Sequence, residues 1–132
     1  MKLVRDSVTL AQGRGNVVSS PYTKVSTSGV YQKDTKANGD GVFISVSTSY
    51  YRSWYAADGR TYYGNAGSER IRYGATSSAA WTSRTGQTTS VVGSPSSETL
   101  LGQSHTNIVK LCEDRGLLRP DQCTSKSFTV NH

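Results

Sequence analysis

Residues 42–51 read VFISVSTSYY, and this run carries the clearest structural pattern in the chain. Side chains alternate between the two faces of a β-strand, so Val42, Ile44 and Val46 would share one face. Ser45 and Ser47 would share the opposite face. An antiparallel sheet can bury one face and leave the other polar and solvated. The run therefore predicts a strand with one side in a core.

Turn signals on both sides of this run divide the first two-thirds of the chain into strands. Residues 33–41 give the strongest turn signal, and the Asp58-Gly59 pair predicts a hairpin that leads into a strand at residues 60–63. Glycines at positions 13 and 15 predict a tight reversal after a strand over residues 3–10. Residues 78–92 are interpreted as a last long strand. We therefore expect about six antiparallel strands.

A helical pattern begins at Ser94 and Pro95, which suit an N-cap and a first helical position. Apolar residues then follow at helical spacing, and Gly116 is a natural stop. These apolar residues are Leu101, Ile108 and Leu111, flanked by Leu100 and Cys112. The predicted fold class is α+β: one domain over residues 1–132, with a β-rich sheet (1–92) and a helical C-terminal arm (94–132). Because domains are built from layers that bury their apolar faces against each other, the helix would cover the apolar face of the sheet.

Composition suggests a protein that completes its core with a second copy of itself. The chain has 132 residues, enough for one domain, but only 34% are hydrophobic. Eight tyrosines and two tryptophans argue against disorder. We therefore expect an obligate oligomer.

The charge balance is consistent with a polyanionic partner. The net charge is +6, and the whole excess lies before Pro95. Such a sheet attracts nucleic acid or an anionic membrane, although a merely solubilising charge is equally compatible. Charged residues interrupt the start of the chain, and no later segment is long and apolar enough to span a bilayer. The sequence thus predicts a soluble protein made in the cytoplasm.

Residues with catalytic or metal-binding chemistry are sparse. Cys112 and Cys123 are too few for a disulfide scaffold and lack a zinc pattern; Cys112 is interpreted as a helix-face residue, and the state of Cys123 stays open. Lone His105 is interpreted as a surface or boundary residue, and no metal or cofactor is predicted. A nuclease using His105 with Glu69 or Glu98 remains a third possibility. The main prediction is a protein that is not an enzyme.

Strand hydroxyls, arginines and tyrosines together favour RNA. Ser and Thr can bond phosphates, Arg can pair with phosphates, and Tyr offers a plane for an unpaired base. Taken one by one, the tyrosines are better explained by strand packing, and only the combination favours RNA.

Several short segments connect the chain to a known family. It resembles the coat proteins of single-stranded RNA bacteriophages, the leviviruses, in its length and in the expected order of hairpin, antiparallel sheet and C-terminal helix. The similar segments are Lys2-Leu3 followed by Val8-Thr9-Leu10, the Val46-Ser47 strand, and Ala79-Ala80-Trp81.

The resemblance implies an interlocked dimer in which the helices of one subunit cover the sheet of the other. Dimers would build an icosahedral shell in the bacterial cytoplasm that packages genomic RNA, and the sheet would bind an RNA hairpin to repress translation. The partners would be the chain itself and RNA, with no membrane. By position, the RNA-binding residues implied are Ser45, Ser47, Ser49, Tyr51, Arg60, Tyr62, Thr82 and Arg84.

The main alternative is a small, basic, secreted protein with a β-sandwich fold, similar to a toxin or bacteriocin. Its basic charge and its Tyr, Gly and Ser content would suit a membrane or cell-wall target. The absence of a recognisable signal peptide in the sequence argues against it.

Overall fold

The computed structural model describes residues 1–5, 7–20, 24–36, 39–90, 99–116 and 120–131, and these residues form only strands, turns and loops. The predicted α+β class is therefore wrong: the described chain is all-β. The strands are β1 (Lys2–Arg5), β2 (Val8–Ser20), β3 (Lys24–Asp34), β4 (Gly41–Tyr55), β5 (Thr61–Arg72), β6 (Thr82–Arg84), β7 (Thr88–Ser90), β8 (Thr99–Asp114) and β9 (Gln122–Asn131).

The strands form two antiparallel sheets. Sheet I has the order β1-β2-β3-β6, with β7 also paired to β3, and sheet II has the order β5-β4-β8-β9. Residues 42–51 lie in β4, which pairs along its whole length with β8. The run that decides the fold thus occupies an interior strand of sheet II.

The core lies between the two sheets. Val42, Ile44 and Val46 are almost completely buried and pack against Leu10 and Val30 of sheet I, which confirms the predicted core face. Phe43 and Ser45 on the opposite face are buried too, so the predicted solvated face is wrong at this end of the strand. Burial of apolar side chains from both inner faces stabilises a sandwich of this kind. Leu3, Ala11, Ile71, Tyr73 and Leu111 complete the buried cluster.

The predicted C-terminal helix is replaced by a hairpin of strands β8 and β9. Leu111 faces the core, whereas Ile108 lies on the outer face with 37% of its surface exposed. The apolar spacing of this segment is helical, but backbone pairing of β8 with two neighbouring strands prevails over it. No helical arm exists in the described residues to cross a partner's sheet, so the predicted interlocked dimer is corrected as well. The proposed cap at Ser94 and Pro95 lies outside the described residues.

A disulfide joins the two strands of this C-terminal hairpin. Cys112 and Cys123 are directly opposite each other in the β8–β9 register and are bonded, with a Cα–Cα distance of 4.1 Å. Cys112 is therefore a strand residue rather than a helix-face residue.

Glycines in β2 serve close packing rather than a turn. The chain runs straight through residues 13–16, so the reversal predicted there is wrong. A Cβ atom on Gly13 would lie 2.9 Å from Ile44 Cδ1, which leaves no room for a side chain between the sheets. In contrast, Asp58-Gly59 does form the predicted hairpin, with Gly59 in the left-handed region at φ 81°.

Candidate nucleic-acid interface

Four of the predicted RNA-binding residues share the outer face of sheet II. Ser45, Ser47, Ser49 and Tyr51 alternate with the core residues of β4, so their side chains point away from sheet I. Ser45 is almost completely buried among its neighbours, and the other three are partly exposed. The structure brings these four into one line along an interior strand.

Cross-strand neighbours extend this line into rows of hydroxyl groups. Ser49 lies between Ser68 on β5 and Thr106 on β8, and Thr106 is followed by Thr129 on β9. The Ser49 and Ser68 hydroxyls are hydrogen bonded at 3.1 Å, and those of Thr106 and Thr129 at 3.2 Å. Hydroxyls can donate as well as accept, so such a surface can bond both phosphate oxygens and ribose hydroxyls.

Three cations lie at one end of the rows. Arg72 and Lys110 lie opposite Ser45 on its two sides, and Arg70 lies opposite Ser47. The Arg72 guanidinium stacks on Phe43 at 4.0 Å and is 3.8 Å from Asp114, an exposed ion pair that salt screens readily. The cationic end therefore carries net positive charge, which would attract phosphates.

Two tyrosines lie at the opposite end. Tyr51 stacks on Tyr63 with centroids 5.9 Å apart and planes only 9° from parallel, and 71% of the Tyr63 surface is exposed. Tyr63 was not predicted from the sequence, and Tyr62 was predicted in its place. The register explains the error: beyond a shift next to Tyr51, Ser53 pairs with Tyr63 and Trp54 with Tyr62, so Tyr63 and not Tyr62 shares the outer face.

Tyr62 lies on the other face of the β4–β5 hairpin. Its ring stacks on Trp54 at 5.7 Å, and its hydroxyl donates a hydrogen bond to the Asp58 carboxylate. This bond raises the pKa of Tyr62 and lowers the pKa of Asp58. Arg60 is exposed in the hairpin loop, where its backbone N–H donates to Asp58 at 2.9 Å. Both residues are therefore near the aromatic end but outside the outer face.

Thr82 and Arg84 belong to sheet I and do not join the candidate interface. One Arg84 nitrogen donates to the Gly74 carbonyl at 3.0 Å, the Ala75 carbonyl at 3.1 Å and Thr76 Oγ1 at 2.8 Å. Thr82 pairs with buried Gln32 on β3. Arg84 thus holds the segment after β5 against sheet I.

The candidate nuclease residues do not form an acid–base pair in the described structure. His105 is fully buried beside Tyr50, with ring centroids 5.1 Å apart, whereas Glu69 is exposed on β5. Strand β4 lies between the strands that carry them. Glu98 lies outside the described residues. Within the described ranges, no three His, Cys, Asp or Glu residues group as metal ligands would.

A second group of cations and aromatic rings occupies the outer side of sheet I. The Arg14 guanidinium lies 4.5 Å from the Tyr31 centroid and 4.9 Å from that of Trp81, and Lys33 is 5.7 Å from Trp81. Hydroxyl groups lie on this sheet as well: Ser83 on β6 pairs with Tyr31, and Ser26 on β3 is hydrogen bonded to Thr88 on β7 at 2.9 Å. This group provides a matched surface against which the outer face of sheet II can be tested.

Comparison with protein families, with curated proteins and with solved structures finds no match to this chain. Among the described residues, no helix has the length and hydropathy needed to cross a bilayer.

Proposed function

We propose that the protein binds single-stranded RNA without catalysis, on the outer face of sheet II. One observation carries the proposal: hydroxyl rows on an open sheet face run between a cationic end and a stacked tyrosine pair. Phosphates would contact Arg70, Arg72 and Lys110, and ribose hydroxyls would contact the Ser and Thr rows. An unpaired base would stack on Tyr63, which is the most exposed ring of the pair.

The three kinds of group would act on different parts of the nucleic acid. Cations supply affinity that does not depend on sequence, because they replace the counterions of the phosphate backbone. An exposed aromatic ring binds any base through its π-face. The hydroxyl rows add hydrogen bonds that a 2′-hydroxyl can complete. The expected activity is thus tolerant of sequence and prefers RNA to DNA.

Fluorescence anisotropy with a labelled 12-nucleotide oligouridine would test the proposal. Loss of one stacked base costs roughly 1–3 kcal/mol, so Tyr63→Ala should weaken binding at least about fivefold. Arg70→Ala should also weaken it. Lys33→Ala, on the cationic group of sheet I, is the matched control and should bind as the unaltered protein does. If Lys33→Ala weakens binding and Tyr63→Ala does not, the interface lies on sheet I and the proposal is wrong.

Packaging of RNA in a shell of many copies is an extension of this proposal. What supports it is the low hydrophobic fraction, together with apolar side chains that are about half exposed, such as Val4 at 51% and Val18 at 59%. Isolated exposed apolar residues are ordinary, but several of them on a thin core suit contacts between copies. Negative-stain microscopy with the ultraviolet absorbance ratio tests it: uniform particles rich in nucleic acid support packaging, and a small species free of nucleic acid excludes it.

A secreted toxin or bacteriocin-like protein is a second candidate, and the disulfide favours it. Disulfides such as Cys112–Cys123 persist mainly in oxidising compartments, and the two-sheet sandwich is the architecture expected for this class. Growth inhibition of bacteria by purified protein, with no affinity for oligouridine, would replace the RNA proposal by this one.

A further inference from the structure

A cleft opens between the two sheets, separate from the outer face of sheet II. Its volume is about 300 Å³, and its walls come from β2 and β3 of sheet I and from β4, β8 and β9 of sheet II. Specific pockets for small molecules start at roughly this size, with a usual range of about 300–1,000 Å³. The cleft can therefore hold one small ligand.

The walls of the cleft are largely apolar. Apart from Phe128, which is 37% exposed, the apolar side chains belong to residues that are buried or half-buried in the sandwich, and the backbone of Gly13 and Gly15 forms part of the wall on β2. A Cβ atom on Gly15 would lie 3.1 Å from Val30 Cγ2, so the backbone of β2 packs directly on the core there. The apolar lining residues are Val17, Val30, Ile44, Val46, Val109 and Phe128.

The polar groups deep in the cleft already bond each other. The hydroxyls of Thr27 and Tyr73 are joined by a hydrogen bond, and both residues are buried. Thr27 also accepts a hydrogen bond from the Gln87 backbone N–H at 3.0 Å. These hydroxyls therefore do not need a ligand as a partner, and the inner end of the cleft suits an apolar group.

The outer end of the cleft carries positive charge. Lys126 lies opposite Val109 on β9, the edge strand of sheet II, and is exposed. Arg14 borders the cleft as a residue of β2, but its guanidinium lies over Tyr31 and Trp81 on the outer side of sheet I. No Asp or Glu is found among the described residues that line the cleft. Neither of the ion pairs found in the described ranges involves Lys126. A ligand that places its apolar part inside would present its polar end to this cation.

We propose that the cleft binds a single-chain amphiphile with an anionic head group, of the medium-chain fatty acid class. The hydrocarbon chain would lie among the valines of both sheets, and the carboxylate would pair with Lys126 at the mouth. A charge-assisted hydrogen bond to a carboxylate favours such a ligand over its neutral analogue. This site does not depend on RNA binding, because Lys126 and the candidate interface lie on opposite faces of sheet II.

Isothermal titration calorimetry with decanoate, and separately with decanol, tests the proposal. Decanoate should bind the unaltered protein with one site per chain. Lys126→Gln should weaken decanoate binding about tenfold and leave decanol binding unchanged. Lys110→Gln removes the same charge from the outer face of the same sheet, and it should leave both affinities unchanged. Equal decanoate affinity in all three proteins would overturn the role of Lys126.

A second variant tests the apolar part of the site. Val109 is only partly buried, so Val109→Phe should place a ring in the cleft without loss of the fold. With an unchanged circular dichroism spectrum, this variant should lose decanoate binding. Saturable binding that persists in it, or no binding of decanoate to the unaltered protein, would show that the cleft is not the site. Self-association of Lys126→Gln without a change in decanoate affinity would instead assign this lysine to protection of the strand edge and overturn the proposal.

Discussion

The side-chain oxygen of Gln32 accepts a hydrogen bond from the backbone N–H of Ile44 at 2.8 Å, and this bond links sheet I to sheet II. The amide nitrogen of Gln32 donates to Thr76 Oγ1 at 2.9 Å and to the Gly74 carbonyl at 3.0 Å. Gln32 is completely buried. One side chain thus joins β3, β4 and the segment after β5.

Replacement of Gln32 should strongly destabilise the fold. Gln32→Leu keeps a similar volume but leaves the buried Ile44 N–H without this acceptor, which costs roughly 1–3 kcal/mol, and it also removes the hydrogen bonds to Thr76 and Gly74. We expect the free energy of unfolding to fall by at least about 2 kcal/mol in urea denaturation. Gln12→Leu, at a half-buried position on β2, is the control. Equal midpoints for the two variants would contradict the role of Gln32.

We expect Arg84 to stabilise the fold and not to contribute to RNA binding. Arg84→Ala removes three hydrogen bonds to residues 74–76, so unfolding should become easier by about 1–3 kcal/mol while oligouridine affinity stays the same. Arg60→Ala, in the exposed hairpin loop, should change stability by less than about 0.5 kcal/mol. Loss of RNA affinity in a stably folded Arg84→Ala protein would show that Arg84 contacts RNA after all.

Local sequence patterns correctly predicted those parts of the fold where a pattern is compatible with a single structure. The alternation from Val42 to Val46 correctly predicted which side of the strand faces the core, and Asp58-Gly59 suits only a tight turn. Residues 99–114 favoured a helix over a strand, because apolar residues at positions 101, 108 and 111 have helical spacing, whereas in the strand Ile108 and Leu111 lie on opposite faces. Strand pairing with β4 and β9 decides between them, and the sequence does not display that contact.

The sequence predicted only part of the candidate interface, because it shows the alternation within a strand but not the pairing between strands. Ser45, Ser47, Ser49 and Tyr51 follow from alternation within one strand, and the structure places them on one face. Tyr63 depends on the register between strands, where a shift of one residue moves a side chain to the other face, and Arg84 depends on which sheet its strand joins. The close packing at Gly13 could not be predicted either, because the sequence does not distinguish a glycine in a strand from a glycine in a turn.

The disulfide should contribute a few kcal/mol to stability. Cys112 and Cys123 are 11 residues apart, and closing a loop of this size is worth about 3 kcal/mol in the chain-entropy model. Reduction with dithiothreitol, or the double variant Cys112→Ser with Cys123→Ser, should lower the free energy of unfolding by a similar amount and shift the urea midpoint down accordingly. Addition of dithiothreitol to the double variant is the control and should have no effect. An unchanged midpoint on reduction of the unaltered protein would contradict the bond.

Asp34 should make the protein less stable as the pH rises from acid toward neutral. Burial raises the pKa of Asp34 above its usual 3.8, although a hydrogen bond from the Lys36 backbone N–H opposes the shift. Above pH 3.8 the folded state therefore holds a proton that the unfolded state has released, and stability falls as the pH rises through the raised pKa. Asp34→Asn removes this dependence, so its stability relative to the unaltered protein should increase from pH 3.5 to about pH 7. A constant difference between the two proteins across that range of urea titrations would refute the shift.

Salt dependence separates phosphate contacts from stacking at the proposed interface. Each phosphate contact with a single strand contributes about 0.7 to the slope of log affinity against log salt, so three cations give a slope of about −2. Arg70→Ala should reduce the magnitude of this slope by about 0.7, because Arg70 would contact one phosphate. Tyr63→Ala should lower affinity at every salt concentration and leave the slope unchanged, since stacking releases no counterions. If Arg70→Ala and Lys33→Ala change the slope equally, RNA is attracted by the net charge of +6 rather than by the outer face of sheet II.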